Sequence, residues 1–344
     1  MKTKKLLSVM LSVLMLMTCL SPLTALAASE KKATVSGVKY TYTVNKGKAT
    51  ITGIEFNNYK KKSYTFPSKL GGKTVTSIKY TKHTVVGENS ITTVNIPKNI
   101  TSINMPPLAT GGYNVKKYSV AKGNKSFTTV SSVLFTKNKK TLVAYPRAKS
   151  GASYTIPKSV KVVGDYAFYY CSKLKSISIP KSITTLGECS FAECNSLKSI
   201  DMSKTKIKTI PDYCFMTVNF GFGSITKVKF APTTTTIGEC AFLFQLSLKS
   251  ITFPASIKNI KRSAFDGTSL TTATVPKKVK SVSFGDGAFA TSNEGITLVV
   301  KGKNTSISCH KNSCVKTIKA PKNSKAAKYA KSHKKDGIKY KELK

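Results

Sequence analysis

The hydrophobic and polar positions of the chain follow a short repeating pattern from about residue 154 onward. In each repeat, four or five residues alternate between apolar and polar side chains and end at a proline, as in "YTIP", "SISIP", "SITFP" and "TATVP". Alternation of this length predicts a short β-strand, and the proline ends the strand because its nitrogen has no hydrogen to donate. A leucine precedes several of these strands, at Leu174, Leu197 and Leu248. The pattern therefore predicts one short strand in every repeat.

An aromatic position keeps step with these strands. Phenylalanine recurs every 23 to 27 residues, at Phe168, Phe191, Phe215, Phe242, Phe265 and Phe289. Glycine stands four residues before it in four of these six repeats. A fixed period of this length indicates stacked units, none of which buries its apolar face alone. We therefore predict a repeat solenoid with coils of about 23 residues, each with a short parallel β-strand and a tight turn that carries Phe into the core.

The two ends of the chain have different patterns, which predict caps for the solenoid. The segment "VKYTYTVNKGKATITGIEF" alternates on both sides of Asn45-Lys46-Gly47 and predicts an N-terminal β-hairpin cap. Near the other end, Ala326, Ala327, Tyr329 and Ala330 fall on one side of a predicted helix, which is followed by a strand in "IKYKEL". The predicted divisions are 1–27 (signal peptide), 28–80 (N-terminal β cap and lead-in), 81–153 (degenerate repeats and linker hairpin), 154–320 (solenoid) and 321–344 (lysine-rich C-terminal cap).

The first residues predict export. Three lysines lie within the first five residues, an apolar run extends from Leu6 to about Leu20, and Ala25-Leu26-Ala27 forms a small-x-small cleavage site. This is the plan of a secretory signal peptide, and its apolar run is too short for a membrane span. Thr18 before Cys19 argues against a lipoprotein signal. We expect a secreted or extracellular protein without a transmembrane segment, which its charge can hold at the cell wall.

The charge balance points to anionic partners. Lysine and arginine number 57 against 14 acidic residues, which gives a net charge of +43, and Arg147 and Arg262 are the only arginines. An exported basic protein meets cell-wall polymers and sulfated or sialylated glycans before it meets nucleic acid. These polymers are therefore the expected partners, and nucleic acid is not. The alternative is that lysine serves only as a solubilising surface residue.

Many lysines also keep step with the repeat. One set follows the proline or its replacement Ser203, and a second set follows the repeat leucine. Equivalent residues of stacked coils lie about 5 Å apart, so we expect rows of like charge whose repulsion either solvent or a bound polyanion relieves. The predicted binding residues are Lys98, Lys158, Lys181, Lys204 and Lys277 in the first set, and Lys175, Lys198 and Lys249 in the second.

Acidic residues share one repeat position, three residues before the Phe. Catalytic carboxylates occur as one pair in contrasting environments and not as a ladder. We therefore predict structural turn acids that accept backbone N–H groups, as a helix cap does. These residues are Asp165, Glu188, Asp212, Glu239 and Asp286.

Cysteines divide into two groups. Cys171 and Cys194 lie three residues after a Phe, and Cys189 and Cys240 lie two residues before one, so these four are predicted to be buried, free and unreactive. Cys309 and Cys314, in "CHKNSC", depart from the repeat and are candidates for a local disulfide. A zinc site needs four ligands, and this segment offers three with His310. No metal is predicted.

No catalytic constellation is visible in the sequence. The histidines are His83, His310 and His333, and the repeat places none of them beside a nucleophile and an acid. The stretch "FGFG" lacks the lysine and hydroxyl residue of a phosphate-binding loop. We therefore expect no enzymatic activity and no cofactor.

The repeat resembles a known family. The coil "IPKSITTLGECSFAECNSLKSI", residues 179–200, is similar to the BspA-type leucine-rich repeat family of bacterial surface and secreted proteins. The likeness is close over residues 154–291 and looser upstream. Departures are Ser203 in place of proline and a Gly- and Phe-rich insertion at residues 216–227. The resemblance implies adhesion or partner binding without naming a ligand.

These observations together predict a secreted or cell-surface module that binds anionic wall, glycan or matrix surfaces and catalyses nothing. One alternative is a specific receptor whose strand face binds a host matrix or surface protein. A further alternative is a degradative enzyme with a site in the 216–227 insertion.

Overall fold

The computed structural model describes residues 29–56, 59–79, 85–86, 90–104, 114–218, 223–290, 295–310 and 312–343. The predicted signal peptide, His83 and residues 219–222 of the insertion lie outside the described residues. The expectations for them therefore stay predictions.

The N-terminal part begins with an antiparallel sheet. Strands β1 (Lys31–Val35), β2 (Val38–Asn45) and β3 (Lys48–Phe56) pair in sequence order. The turn between β2 and β3 has positive φ at Lys46 and Gly47, so the hairpin forms where the alternation predicted it. The next strands of this part are β4 (Ser63–Thr65), β5 (Lys69–Leu70), β6 (Lys73–Ile78), β7 (Val85–Val86), β8 (Thr93–Ile96), β9 (Ser102–Ile103) and β10 (Lys117–Val120).

Parallel pairing starts within this part. Strand β3 pairs with β6 in parallel, and β8 pairs in parallel with both β4 and β10. The degenerate segment therefore already stacks as coils, although it lacks the Phe turn of the later repeats.

An antiparallel unit separates two hydrophobic cores. It consists of β11 (Phe127–Val130), β12 (Val133–Thr136) and β13 (Thr141–Ala144). Because side chains alternate along a strand, Val133 and Phe135 of β12 join the C-terminal core, whereas Leu134 between them joins the N-terminal core. The unit thus serves both cores, and β13 starts the next parallel ladder by pairing with β15 (Val162–Val163).

Each later coil has two parallel strands, one more than the alternation predicted. The strands of side A are β14 (Ser153–Thr155), β16 (Ser176–Ser178), β18 (Ser199–Asp201), β20 (Lys227–Lys229), β22 (Ser250–Thr252), β24 (Thr272–Val275), β26 (Ile296–Val300), β28 (Val315–Ala320) and β29 (Lys339–Glu342). The strands of side B are β15, β17 (Thr185–Leu186), β19 (Thr209–Ile210), β21 (Thr236–Ile237), β23 (Asn259–Ile260), β25 (Ser281–Phe284) and β27 (Ser306–Cys309). The segment that returns from side B to side A contains no strand, and we call it side C.

The proline turn joins side A to side B. In four coils the proline carbonyl accepts a backbone N–H from three residues later, for example from Val160 to Pro157 at 3.0 Å and from Ile257 to Pro254 at 3.1 Å. Proline therefore ends the side A strand and also closes the turn.

The repeated phenylalanines form one continuous stack inside the solenoid. Successive rings from Phe168 to Phe289 lie 4.9 to 5.7 Å apart, centroid to centroid, with interplanar angles of 2° to 16°. All six side chains are buried. The predicted aromatic column is confirmed, and it holds the side C turns in register.

Left-handed backbone precedes each Phe of the column. The residue two positions before it has φ between 50° and 59° in all six coils, although only Gly287 among them is a glycine. The others are Tyr166, Cys189, Tyr213, Cys240 and Ser263. Non-glycine residues rarely adopt this conformation, so the stacked coils impose it on them.

The C-terminal segment packs against the last coils. Helix α1 (Lys325–Ser332) buries Ala326, Ala327 and Ala330, and the Ser324 hydroxyl caps it by accepting the N–H of Ala327 at 3.1 Å. A short 3-10 helix (Lys334–Asp336) follows, and the chain then returns to side A as β29. The predicted order of helix and strand is present, and its role as a cap stays a prediction.

Candidate binding surface

All eight predicted binding lysines are exposed, and all except Lys98 border side A. Lys175, Lys198 and Lys249 directly precede strands β16, β18 and β22. Lys158, Lys181, Lys204 and Lys277 lie in the turns between side A and side B, and Lys98 lies in the turn after β8 of the N-terminal part. The two sets therefore run along opposite edges of the side A strands.

Between these two edges, the exposed face of the side A strands carries many hydroxyl groups. On strands β14 to β24 the first and third positions point outward, in β26 the second and fourth do, and the ladder places equivalent residues opposite each other. The sequence pointed to the strand face only for the alternative of a protein receptor, and its hydroxyl residues were not singled out because these polar positions only marked the strand alternation. Hydroxyls both donate and accept hydrogen bonds. The outward hydroxyl residues include Ser153, Ser176, Ser199, Ser250, Thr272, Thr297, Thr155, Ser178, Thr252 and Thr274.

The expected rows of lysines about 5 Å apart are interrupted. Lys175 and Lys198 are neighbours, but Thr226 lies between Lys198 and Lys249, and its N–H donates to the Lys198 carbonyl at 2.9 Å. The coil that carries the insertion supplies this threonine. In the turn row, the two coils after Lys204 hold Pro232–Thr233 and Ala255–Ser256 instead of lysine.

Side B carries lysines that the sequence pattern did not single out. Lys161, Lys208 and Lys258 are exposed beside its strands, and Thr184 and Thr235 occupy the same position in the coils between them. An alignment of the residues just before the side B strands would have shown this alternation.

The five turn acids form a column between side B and side C. The Asp165 carboxylate accepts the N–H of Glu188 at 2.9 Å, and Asp212 accepts that of Glu239 at 2.7 Å. Each N–H belongs to the next coil and not to the acid's own turn. Burial, together with the nearby Asp165 and Asp212 carboxylates, raises the pKa of Glu188.

Basic side chains lie beside three acids of the column. Asp212 pairs with Lys261 at 3.2 Å, Glu239 pairs with Arg262, and the Asp286 carboxylate lies 3.1 Å from Nδ1 of His310. Arg262 occupies the repeat position of the acids in its own coil. The contacts of these acids are thus with other coils, and their role as structural residues stays a prediction.

The other arginine is also structural. Arg147 is buried, its Nε donates to the Tyr169 carbonyl at 3.0 Å, and its guanidinium lies 5.3 and 5.1 Å from the ring centroids of Tyr169 and Tyr170. The cationic surface of the described residues therefore consists mainly of lysine.

Five cysteines lie in the solenoid core as free thiols: Cys171, Cys189, Cys194, Cys214 and Cys240. Burial raises the pKa of Cys171, Cys189 and Cys240 to about 12. Because the thiolate is the reactive form, these thiols are chemically quiet.

We expect thiol labelling of the reduced native protein to leave these five cysteines unmodified until denaturant is added. Mass spectrometry of the labelled protein reads each site separately. A variant with Cys309→Ser and Cys314→Ser is the control, since it should lose the labelling of the half-exposed sites and keep the five protected ones. Rapid native labelling of the five would contradict the core assignment.

A cavity of about 490 Å³ beneath α1 brings Tyr329 and His333 to the cysteines and histidine of "CHKNSC". Cys309, Cys314, His310, His333 and Tyr329 line it. Burial raises the pKa of Cys309 to about 11 and also raises that of Cys314, so neither thiol is a ready nucleophile. Both are free here, and the local disulfide stays a prediction.

Neither a metal centre nor a membrane span emerges from the part of the chain that the structure describes. No group of three or more His, Cys, Asp or Glu residues there is arranged to hold a metal ion. None of its helices is long and apolar enough to cross a membrane.

Two strands per coil, a proline turn and a stacked Phe turn define a leucine-rich repeat solenoid. The family model for the BspA type leucine rich repeat region matches residues 144–221 and 218–332, with six copies. These segments cover more than half of the 344 residues. The chain belongs to this family.

Several solved structures resemble the chain. A leucine-rich repeat protein from Eubacterium ventriosum is 22% identical over 76% of this chain and 95% of that one, with a TM-score of 0.49. The pneumococcal vaccine antigen PcpA is 17% identical over 92% of this chain and 100% of that one, with a TM-score of 0.48. A leucine rich cell surface protein from Faecalibacterium prausnitzii is 15% identical over 91% and 95%, with a TM-score of 0.36. Among curated proteins, none matches.

Proposed function

We propose that this protein is a secreted or cell-surface binding and adhesion module for anionic polymers, and that it is not an enzyme. The observation that supports this most is the segregation of charge. From β14 to β28, the strands of side A contain one acid, Asp201, whose carboxylate pairs with Lys229 at 2.8 Å and accepts the Ser203 hydroxyl at 2.6 Å. Side A therefore presents lysines and hydroxyls without an unpaired carboxylate on those strands.

A polymer suits this surface better than a small anion. Each exposed ion pair contributes only about 0–1 kcal/mol, so useful affinity requires several contacts along the stacked coils. Lysines bind the anionic groups, and serine and threonine hydroxyls bond to sugars or phosphate oxygens between them. Cell-wall polymers and sulfated or sialylated glycans have this chemistry.

The test compares two triple variants of equal charge. Lys175→Gln, Lys198→Gln and Lys249→Gln form the side A variant, which removes the three lysines that directly precede strands of side A. Lys322→Gln, Lys325→Gln and Lys328→Gln form the C-terminal variant, which removes three exposed lysines at the C-terminus. Binding to immobilised heparin and teichoic acid is measured across a salt series. We expect the side A variant to lose affinity roughly 10- to 100-fold, at about 0.5–1 kcal/mol per contact, and the C-terminal variant to lose much less.

The salt series separates the proposal from its rival. Release of counterions makes binding of a polyanion fall steeply with salt. Equal losses in the two variants would reduce the interaction to nonspecific charge attraction. An affinity that does not change with salt concentration would favour a protein ligand on the strand face, such as a host matrix or surface protein.

A further inference from the structure

Side B has a charge pattern with a period of two coils. Along its leading edge the residues that directly precede the strands of five successive coils are Lys161, Thr184, Lys208, Thr235 and Lys258. Backbone hydrogen bonds join Lys140, Lys161 and Thr184 in one ladder, and Lys208, Thr235 and Lys258 in a second. A cation thus alternates with a neutral hydroxyl over five coils.

The threonines of this edge are held in place by the backbone. The Thr184 hydroxyl donates to the Lys161 carbonyl at 3.4 Å, and the Thr235 hydroxyl donates to the Lys208 carbonyl at 3.3 Å. Backbone N–H groups of the same threonines donate to the same carbonyls at 2.9 and 2.8 Å. The gaps between the lysines are therefore regular positions of the ladder.

This spacing sets the distance between cations. Neighbouring parallel strands lie about 4.8 Å apart, so lysines two coils apart lie about 9.6 Å from each other at the backbone. That distance is about one Debye length at physiological salt, about 8 Å. Lys161, Lys208 and Lys258 consequently repel each other weakly and do not require a densely charged ligand to relieve them, although Lys140 lies one coil from Lys161.

Polar groups that bind sugars lie beside this edge. The outward centre of side B carries Thr209, Thr236, Asn259 and Ser283 in register. Thr236, Asn259, Ser283 and Ser308 line a shallow groove of about 870 Å³. Hydroxyl and amide groups of this kind donate to and accept from sugar hydroxyls.

The column of turn acids forms the opposite edge of side B, together with Lys261 and His310, which line the groove. Carboxylates accept hydrogen bonds from sugar hydroxyls and repel closely spaced anions. Rejection of a competitor by like charge is a common source of specificity. Because Asp212, Glu239 and Asp286 have basic groups beside them, the repulsion of a ligand with a charge on every unit comes mainly from Asp165 and Glu188.

We propose that side B is a second binding surface, for a linear polysaccharide with one anionic group in every two sugars. The inference rests on the proposed function and narrows the polymer class. The lysines bind the anions at every second coil, and the groove and the acid column bind the hydroxyls between them. A polymer with a charge on every unit, such as polyphosphate, would place anions opposite the uncharged Thr184 and Thr235 and beside the acid column.

The experiment uses a gap-filled variant, in which lysine replaces the two threonines between the lysines of this edge. Thr184→Lys with Thr235→Lys makes the edge continuously cationic, and Thr34→Lys with Ser332→Lys adds the same charge at exposed positions elsewhere. Each protein is titrated at one salt concentration with hyaluronan, which has one carboxylate per disaccharide, and with polyphosphate. We expect the native chain to prefer hyaluronan, and only the gap-filled variant to shift at least about fivefold toward polyphosphate.

A second variant, which removes the side B lysines, keeps the inference testable if the gap-filled variant misfolds. Lys161→Gln, Lys208→Gln and Lys258→Gln should weaken hyaluronan binding at least about tenfold, while the C-terminal triple variant should stay close to the native chain. A native preference for polyphosphate, or an equal shift in both lysine-added variants, overturns the inference and leaves the proposed function standing. Salt-independent binding, or no binding, to every polyanion overturns both.

Discussion

Replacing Phe191 by alanine is expected to lower the free energy of unfolding by about 3–5 kcal/mol, the usual loss for a buried aromatic side chain. Phe191 is 1% exposed and stacks on Phe168 at 4.9 Å and on Phe215 at 5.4 Å. Its removal leaves a cavity in the middle of the column and ends two ring contacts, each of which contributes about 0.5–1.5 kcal/mol beyond burial. Denaturant unfolding followed by circular dichroism measures the change.

Lys181→Ala is the matched control for this substitution. Lys181 is exposed in the proline turn that leads into the same coil, and its loss should change the free energy of unfolding by less than about 0.5 kcal/mol. Small and equal shifts for the two variants would contradict the stacked solenoid core.

Gly238→Ala is expected to destabilise the protein by about 2–3 kcal/mol, at the upper end for an overpacked site. A Cβ at this position would lie 2.6 Å from the backbone nitrogen of Asp212 and 2.6 Å from the carbonyl carbon of Pro211. These are backbone atoms of the preceding coil, so only a separation of the two coils relieves the overlap. That separation would also weaken the hydrogen bond from the Glu239 N–H to Asp212.

Gly164 provides the control, because it occupies the same repeat position in an earlier coil. A Cβ there meets its nearest atom, the Leu142 carbonyl oxygen, at 3.1 Å. Gly164→Ala should therefore destabilise by less than about 1 kcal/mol. A thermal melt compares the two variants, and a larger effect at Gly164 than at Gly238 would be inconsistent with the close approach of the coils.

Glycine recurs directly before the turn acid in the sequence, but the physical reason for this glycine lies in the preceding coil, which the sequence pattern does not show. Where that coil carries an aspartate, as at Asp165 and Asp212, the carboxylate lies over the next coil and leaves no space for a side chain. After Glu188 the same position is Pro211, which has a side chain.

The proposed binding surface was predictable in its residue types and not in its arrangement. Lys175, Lys198 and Lys249 were found because each follows a leucine. Thr226 was not placed among them, because the insertion changes the coil length and Ile225 replaces the leucine. The side B lysines lie beside strands that are mostly two residues long, too short for an alternation to mark them.

The sequence alone determined the coil period, the side A strands, the proline turns and the Phe column. Each of these depends on residues within one repeat, whose apolar spacing is set by local backbone geometry. Only the tertiary structure decided which residues are neighbours across coils: the alternation of Lys161 and Thr184, the Asp to Glu hydrogen bonds, and the cavity beneath α1. Those contacts depend on the register between coils, because the ladder brings together residues that the chain places more than 20 positions apart.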